Sequence, residues 1–122
     1  MMLDTKWSFF NSYNKLPSDF YSEVYPSPIN DPELLIYNNS LATQLGLEYL
    51  TKEKEYLTSV LSGNYSPKGT IPIAQAYGGH QFGYFNVLGD GRAILLGEII
   101  APNDERFDIQ LEGSGRTPYS RR

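Results

Sequence analysis

The chain has 122 residues, one domain's worth by length, with 40% hydrophobic and 20% charged residues. Ten Lys and Arg against fourteen Asp and Glu leave a net charge of −4. That balance excludes the broad cationic footprint of a general nucleic-acid binder. The absence of Cys excludes disulfides, thiolate catalysis and Cys-ligated zinc, and a single His cannot build a His-rich metal site.

Residues 1–30 carry WSFFNSYNKLPSDFYSEVYPSPIN, rich in aromatics, Pro and Ser and without a clean period. Pro17, Pro26 and Pro28 interrupt any helix begun there, so an extended arm is expected. Its Phe and Tyr side chains should pin it to a surface, because a free tail would expose too much aromatic area. The start, MMLDTKWSFF, lacks the basic-then-apolar pattern of a signal peptide, and no run reaches the roughly 18 apolar residues of a membrane span. A soluble cytoplasmic protein is expected.

Residues 31–63 read as helical. Asp31, Pro32 and Glu33 form a helix start, Leu34, Leu35, Ile36, Leu41 and Leu45 recur near helical spacing, and Gly46 is a natural stop. Asn38 and Asn39 are weak helix formers and mark a place for a break. A second helix is expected over TKEKEYLTSVLSG, capped by Thr51, ended by Gly63, with Tyr56, Leu57, Val60 and Leu61 as its apolar stripe.

Residues 64–122 change character. NYSPKGT reads as a linker and IPIAQAYGGHQFGYFNV as loop-heavy. AILLGEIIA is a nearly continuous apolar run, as in a buried strand. In ERFDIQLEG, Phe107, Ile109 and Leu111 alternate with Asp108, Gln110 and Glu112, the period of a half-buried strand. The expected fold is α+β in a single unit, with helices from the first half and an antiparallel meander from the second.

Three stretches could carry chemistry. In LGDGRAI, Gly89 and Gly91 let main-chain N–H groups approach an anion, and Arg92 adds a forked cationic donor. The same Gly-Asp-Gly is also a good hairpin turn. His80, in YGGHQFG, could act as an acid or base, or could lock a loop by hydrogen bonding. GSGRTPYSRR is either a second phosphate-contacting segment or a polar turn before a helix.

The ordered words NSYNKLPSDFY, PSPINDPELLIYNNSLATQLGL, YGGHQFGYFNVLGDGRAILLGEI and DIQLEGSGRTPYSRR, from about Trp7 to Arg122, resemble the start of the selenoprotein O family. The resemblance implies a protein-kinase-like small lobe. It also implies a pseudokinase that transfers AMP from ATP to protein Ser, Thr or Tyr hydroxyls, binds its nucleotide reversed relative to a kinase, and uses Mg or Mn. On that reading GDGRA is the glycine-rich loop, and Gly89, Gly91 and Arg92 match nucleotide-contacting positions. RFDIQLE matches the third small-lobe strand, whose last residue in the family is a phosphate-binding Lys. Here Glu112 occupies that position. At ~4 Å and an effective dielectric of about 20, exchanging a cation for an anion beside a phosphate swings the pair energy by several kcal/mol.

The family's catalytic base and its metal-binding Asn and Asp lie downstream of this chain, so the resemblance places no catalytic or metal-binding residue within it. The expectation is a nucleotide-loop-bearing part of a protein adenylyltransferase, inactive alone and binding neither ATP nor metal tightly. The alternative is a non-catalytic protein-interaction module. Protein substrates are the partners implied for the full-length family, with no nucleic acid and no membrane. Self-association through the unpaired small-lobe face is expected of the isolated chain.

Overall fold

The computed structural model describes residues 2–17, 21–81, 84–89 and 92–118. Among the described residues there are two short α-helices and five strands, and every strand pair is antiparallel. The fold is therefore α+β, as the sequence implies. The strands are β1 (Tyr21–Glu23), β2 (Ile73–Gln81), β3 (Tyr84–Gly89), β4 (Ala93–Ile100) and β5 (Arg106–Glu112). The helices are α1 (Asn39–Gln44) and α2 (Lys54–Leu61).

The order across the sheet is β1-β2-β4-β5, with β3 pairing separately to β2. This departs from a simple meander, because β2 serves three partners along its length. Its first residues, 73–75, face β1, Ile73 also faces Leu95 of β4, and residues 76–81 pair with β3. The stretch read as loop-heavy is thus mostly strand. Glycine lowers strand propensity, but Gly78 and Gly79 here sit opposite Val87 and Asn86 in a regular ladder.

β4 and β5 follow their sequence patterns. Six consecutive residues of β4, Ile94 to Ile99, are buried, as expected of a strand covered on both faces. In β5, Leu111 is buried and Phe107 and Ile109 are half-buried, while Arg106, Asp108, Gln110 and Glu112 are exposed. A bulge between Leu95 and Gly97 shifts the β4–β5 register. In an unbroken strand Leu96 and Ile99 would face opposite ways; with the extra residue both enter the core.

The core gathers Trp7, Leu47, Leu50, Tyr56, Leu57, Val60, Leu96, Ile99 and Leu111, so the helical half packs against the inner face of β4 and β5. α1 is shorter than its pattern suggests. The Asn38 side chain accepts from the Leu41 N–H and starts the helix there, whereas Asp31 sits at φ 48°, away from the extended backbone an N-cap adopts. Gly46, at φ 79°, ends the helical stretch as expected. α2 begins at Lys54 after Glu53 rather than at a Thr51 cap, and its apolar stripe is buried at Tyr56, Leu57 and Val60.

The arm is not uniformly extended. It forms 3-10 turns at Met2–Lys6 and Tyr13–Lys15 before β1. It is pinned as expected, but chiefly by Trp7, which is 5% exposed and stacks on Phe9 with centroids 5.2 Å apart. Phe10 pairs with Glu98 of β4 through two backbone hydrogen bonds of 2.8 and 3.0 Å. There the arm lies so close that a Cβ on Gly97 would stand 2.9 Å from Phe9 Cδ1 and 3.2 Å from the Phe10 carbonyl oxygen. Among the described residues, no helix is long and apolar enough to cross a membrane.

Candidate functional site

Two of the predicted site residues, Arg92 and Glu112, fall at one end of the β4–β5 pair. Ala93, the first residue of β4, sits opposite Glu112, the last of β5, and the Gly113 N–H donates to the Arg92 carbonyl at 2.9 Å. Directly opposed residues in such a ladder have Cα atoms roughly 4.5–5.5 Å apart, so Arg92 and Glu112 are near neighbours. Both are exposed. Gly89 closes β3 opposite Ala76. Gly91, with Asp90, lies outside the described residues.

The register around this segment is informative. From Gly89 to Leu95 is a step of 6 in the chain, while their partners on β2, Ala76 and Ile73, are a step of 3 apart. The chain therefore gains three residues against β2 between the end of β3 and the body of β4. A two-residue hairpin turn would instead join strands that pair with each other. Here the pairings given for β3 are to β2, and those for β4 are to β2 and β5. Asp90 and Gly91, on which the hairpin reading of Gly-Asp-Gly turns, lie outside the described residues. His80 pairs with Phe85 in the β2–β3 ladder, which puts its backbone on a strand rather than in the loop expected.

The segment after Glu112 is held by the arm. The Ser27 N–H donates to the Ser114 carbonyl at 2.7 Å, and a Cβ on Gly115 would stand 2.6 Å from Ser27 Oγ. A Cβ on Gly63 would fall 2.5 Å from Pro26 Cβ. Pro26 and Ser27 are thus wedged between the end of α2 and the GSG turn, and only glycine tolerates that approach. Sequence reasoning missed this clamp, because nothing local in PSP announces a partner so far along the chain. Its one trace is the glycine pattern of the GSG turn.

A second polar constellation anchors the arm. Asp4, 3% exposed, accepts from Tyr56 Oη (2.8 Å), Tyr65 Oη (2.5 Å) and the Lys68 N–H (3.0 Å), and Trp7 Nε1 donates to Tyr56 Oη (2.9 Å). Burial alone would raise the Asp4 carboxyl. The bonds from Tyr65, Lys68 and Tyr56 outweigh it and hold the group below its ordinary value. Burial, and then the bond to Asp4, push the Tyr56 phenol well up; Tyr65 is raised chiefly by its bond to Asp4. On β4, Glu98 is 3% exposed and accepts from Ser12 Oγ.

What the loop end offers chemically is mixed. Arg92 presents an always-charged fork suited to phosphate oxygens. Glu112, where a cation would be wanted, adds negative charge, with Asp108, to the exposed face of β5 that the neutral Gln110 also occupies. Among the described residues, no group of three or more His, Cys, Asp or Glu comes together to hold a metal ion. The residues in view therefore fit an anion at Arg92 but do not supply a cation site.

A family model described as Protein adenylyltransferase SelO matches residues 4–122. The chain belongs to that family. It is 56% identical over 119 residues to the Protein nucleotidyltransferase YdiU of Anoxybacillus flavithermus, covering 98% of this chain and 25% of that protein. It is 60% identical over 115 residues to the protein of the same name from Halalkalibacterium halodurans, covering 94% of this chain and 23% of that one. The relative from Bacillus cytotoxicus is 56% identical over 119 residues, 98% of this chain and 24% of its own. The chain thus spans about a quarter of the length of these relatives.

Proposed function

We propose that this chain is the nucleotide-loop-bearing N-terminal part of an ATP-dependent protein adenylyltransferase with a protein-kinase-like small lobe. The reaction moves AMP to a protein hydroxyl. The Ser, Thr or Tyr oxygen attacks the α-phosphorus, the bond from that phosphorus to the bridging oxygen breaks, and pyrophosphate leaves with the electron pair. The observation that carries the reading is the junction of Arg92 with the end of β5. The Gly113 N–H holds the Arg92 carbonyl, which sets Arg92 beside residue 112 while it stays exposed to solvent, where a polyphosphate could meet it.

In this role Arg92 and the backbone around Gly89 and Gly91 bind and orient phosphate oxygens. A divalent metal, when bound, would neutralise phosphate charge. The resemblance to the family puts its donors in the longer protein. Glu112 opposes the phosphates, and ATP affinity is accordingly low in this chain. The catalytic base also belongs to the longer protein, so turnover requires the remainder.

The test joins this chain to the remainder of the Anoxybacillus flavithermus relative and follows transfer of label from α-labelled ATP to protein. Transfer should fall on Arg92→Ala and rise on Glu112→Lys. Equal transfer in all three proteins would overturn the assignment of the loop. No transfer in any of them, with the unmodified relative active alongside, would overturn the adenylyltransferase reading of this chain.

A further inference from the structure

An apolar groove of about 180 Å³ opens between α1, α2 and the sheet, on elements that the nucleotide loop does not use. Its walls include Trp7, Leu41, Leu45, Leu57, Leu61 and Ile109. Leu41 is 42% and Leu61 39% exposed at its rim. The neighbouring segment, which the helix break at Asn38 leaves outside α1, adds Leu35 and Ile36 at 83% and 89%. Two of the polar atoms at the groove are already committed. Asn38 Oδ1 accepts from the Leu41 N–H and from Ser40 Oγ, and Trp7 Nε1 bonds to Tyr56. No charged side chain lines it among the described residues.

Contiguous apolar surface of this kind is costly to leave in water and marks a covered face. A nucleotide or other charged ligand would find no charged partner there among the described residues. The occupant must present aliphatic or aromatic side chains. Two facts on the molecule say where it comes from. The relatives are about four times the length matched here. The GSG turn, from which the chain runs on to its last described residue, Pro118, packs at the end of α2. Ser114 Cβ lies 3.5 Å from where a Gly63 Cβ would be, and Leu61 of the groove rim is two residues before Gly63.

We infer that this groove, rimmed by Leu41 and Leu61, is the docking site for an apolar segment of the same polypeptide drawn from the part following residue 122 in the longer relatives. Leu35 and Ile36 extend the contact along the stretch before α1. Docking there ties the helical half to the remainder on a surface separate from Arg92 and Glu112. The inference needs the remainder to exist, not that it transfers AMP. No groove residue belongs to the nucleotide loop, so either reading can fail alone.

A photoreactive phenylalanine analogue placed at Leu61 tests it, in this chain joined to the Anoxybacillus flavithermus remainder. Tyr25, exposed at 66%, is the control position. Irradiation should give an intramolecular cross-link from position 61 to a peptide of the remainder, with none from position 25 to that peptide. A product of twice the mass, joined to residues 1–122 of a second copy, would overturn the inference in favour of self-association. So would a cross-link yield at position 61 no higher than at position 25. If the joined protein does not fold, the same probe at the aligned position of the Anoxybacillus flavithermus relative itself reads the same three outcomes.

Discussion

Replacing Asp4 by Asn should unfold the arm's anchor while barely changing its shape. The carboxylate accepts three hydrogen bonds in a site that is 3% exposed. An amide keeps one good acceptor and turns its NH2 toward donors, so at least one buried hydroxyl or N–H loses its partner. Bonds to a charged acceptor contribute about 1.5–3 kcal/mol each, and stranding a buried donor costs a similar amount; allowing for non-additivity, the loss is about 3 kcal/mol. For a chain of this size that lowers Tm by about 10 °C.

Trp7 is the chain's single Trp, lies buried, and bonds to the same Tyr56 hydroxyl, so its fluorescence reports this network directly. The pH dependence has a definite sign. The folded carboxyl is held below its ordinary value of 3.8, so it binds its proton less readily than in the unfolded chain. The stability it adds is fully present above that value and is lost as pH falls through the lower folded one. Urea melts of Asp4→Asn and the parent should therefore differ most at neutral pH and converge in acid. A variant that melts with the parent at neutral pH, or a gap that stays constant into acid, would refute the reasoning.

Gly97→Ala should destabilise by about 1–3 kcal/mol, because its Cβ would press on Phe9 and on the backbone of Phe10; a chemical melt measures it, and a neutral result would mean the arm can lift off β4 freely. Asn38→Ala removes the side chain that caps α1 and should cost about 1 kcal/mol, with Asn38→Asp close to neutral in the same melt. Glu112→Lys should strengthen MgATP binding to this chain in a calorimetric titration, since it puts a cation next to Arg92. No change would mean that the loop and β5 alone cannot cradle a polyphosphate.

The strands β4 and β5 were legible because each carries its own period, and burial follows that period residue by residue. The helix start was not. Asp31-Pro32-Glu33 has the composition of a cap, but the backbone at Asp31 turns to positive φ, and Asn38 offers the cap that is used. Gly78 and Gly79 concealed a strand, because local propensity is weak against a ladder supplied by β3. Of the candidate site, sequence supplied Arg92 and Glu112 as separate positions. That their backbones lie close depends on the β4–β5 register, which the turn between the strands and the alternation of β5 together set. The Asp4 network left no sequence signal at all, since its donors are 52 to 64 residues away.

Those separations also govern the order of assembly during synthesis. Asp4 and Trp7 are made 49 to 64 residues before their partners Tyr56, Tyr65 and Lys68, and the Phe10 strap waits for Glu98. Until then the arm's Trp and Phe side chains have no native place to go. Contacts of such long range are closed late and slowly. The arm can therefore take its native place only once β4 has been made.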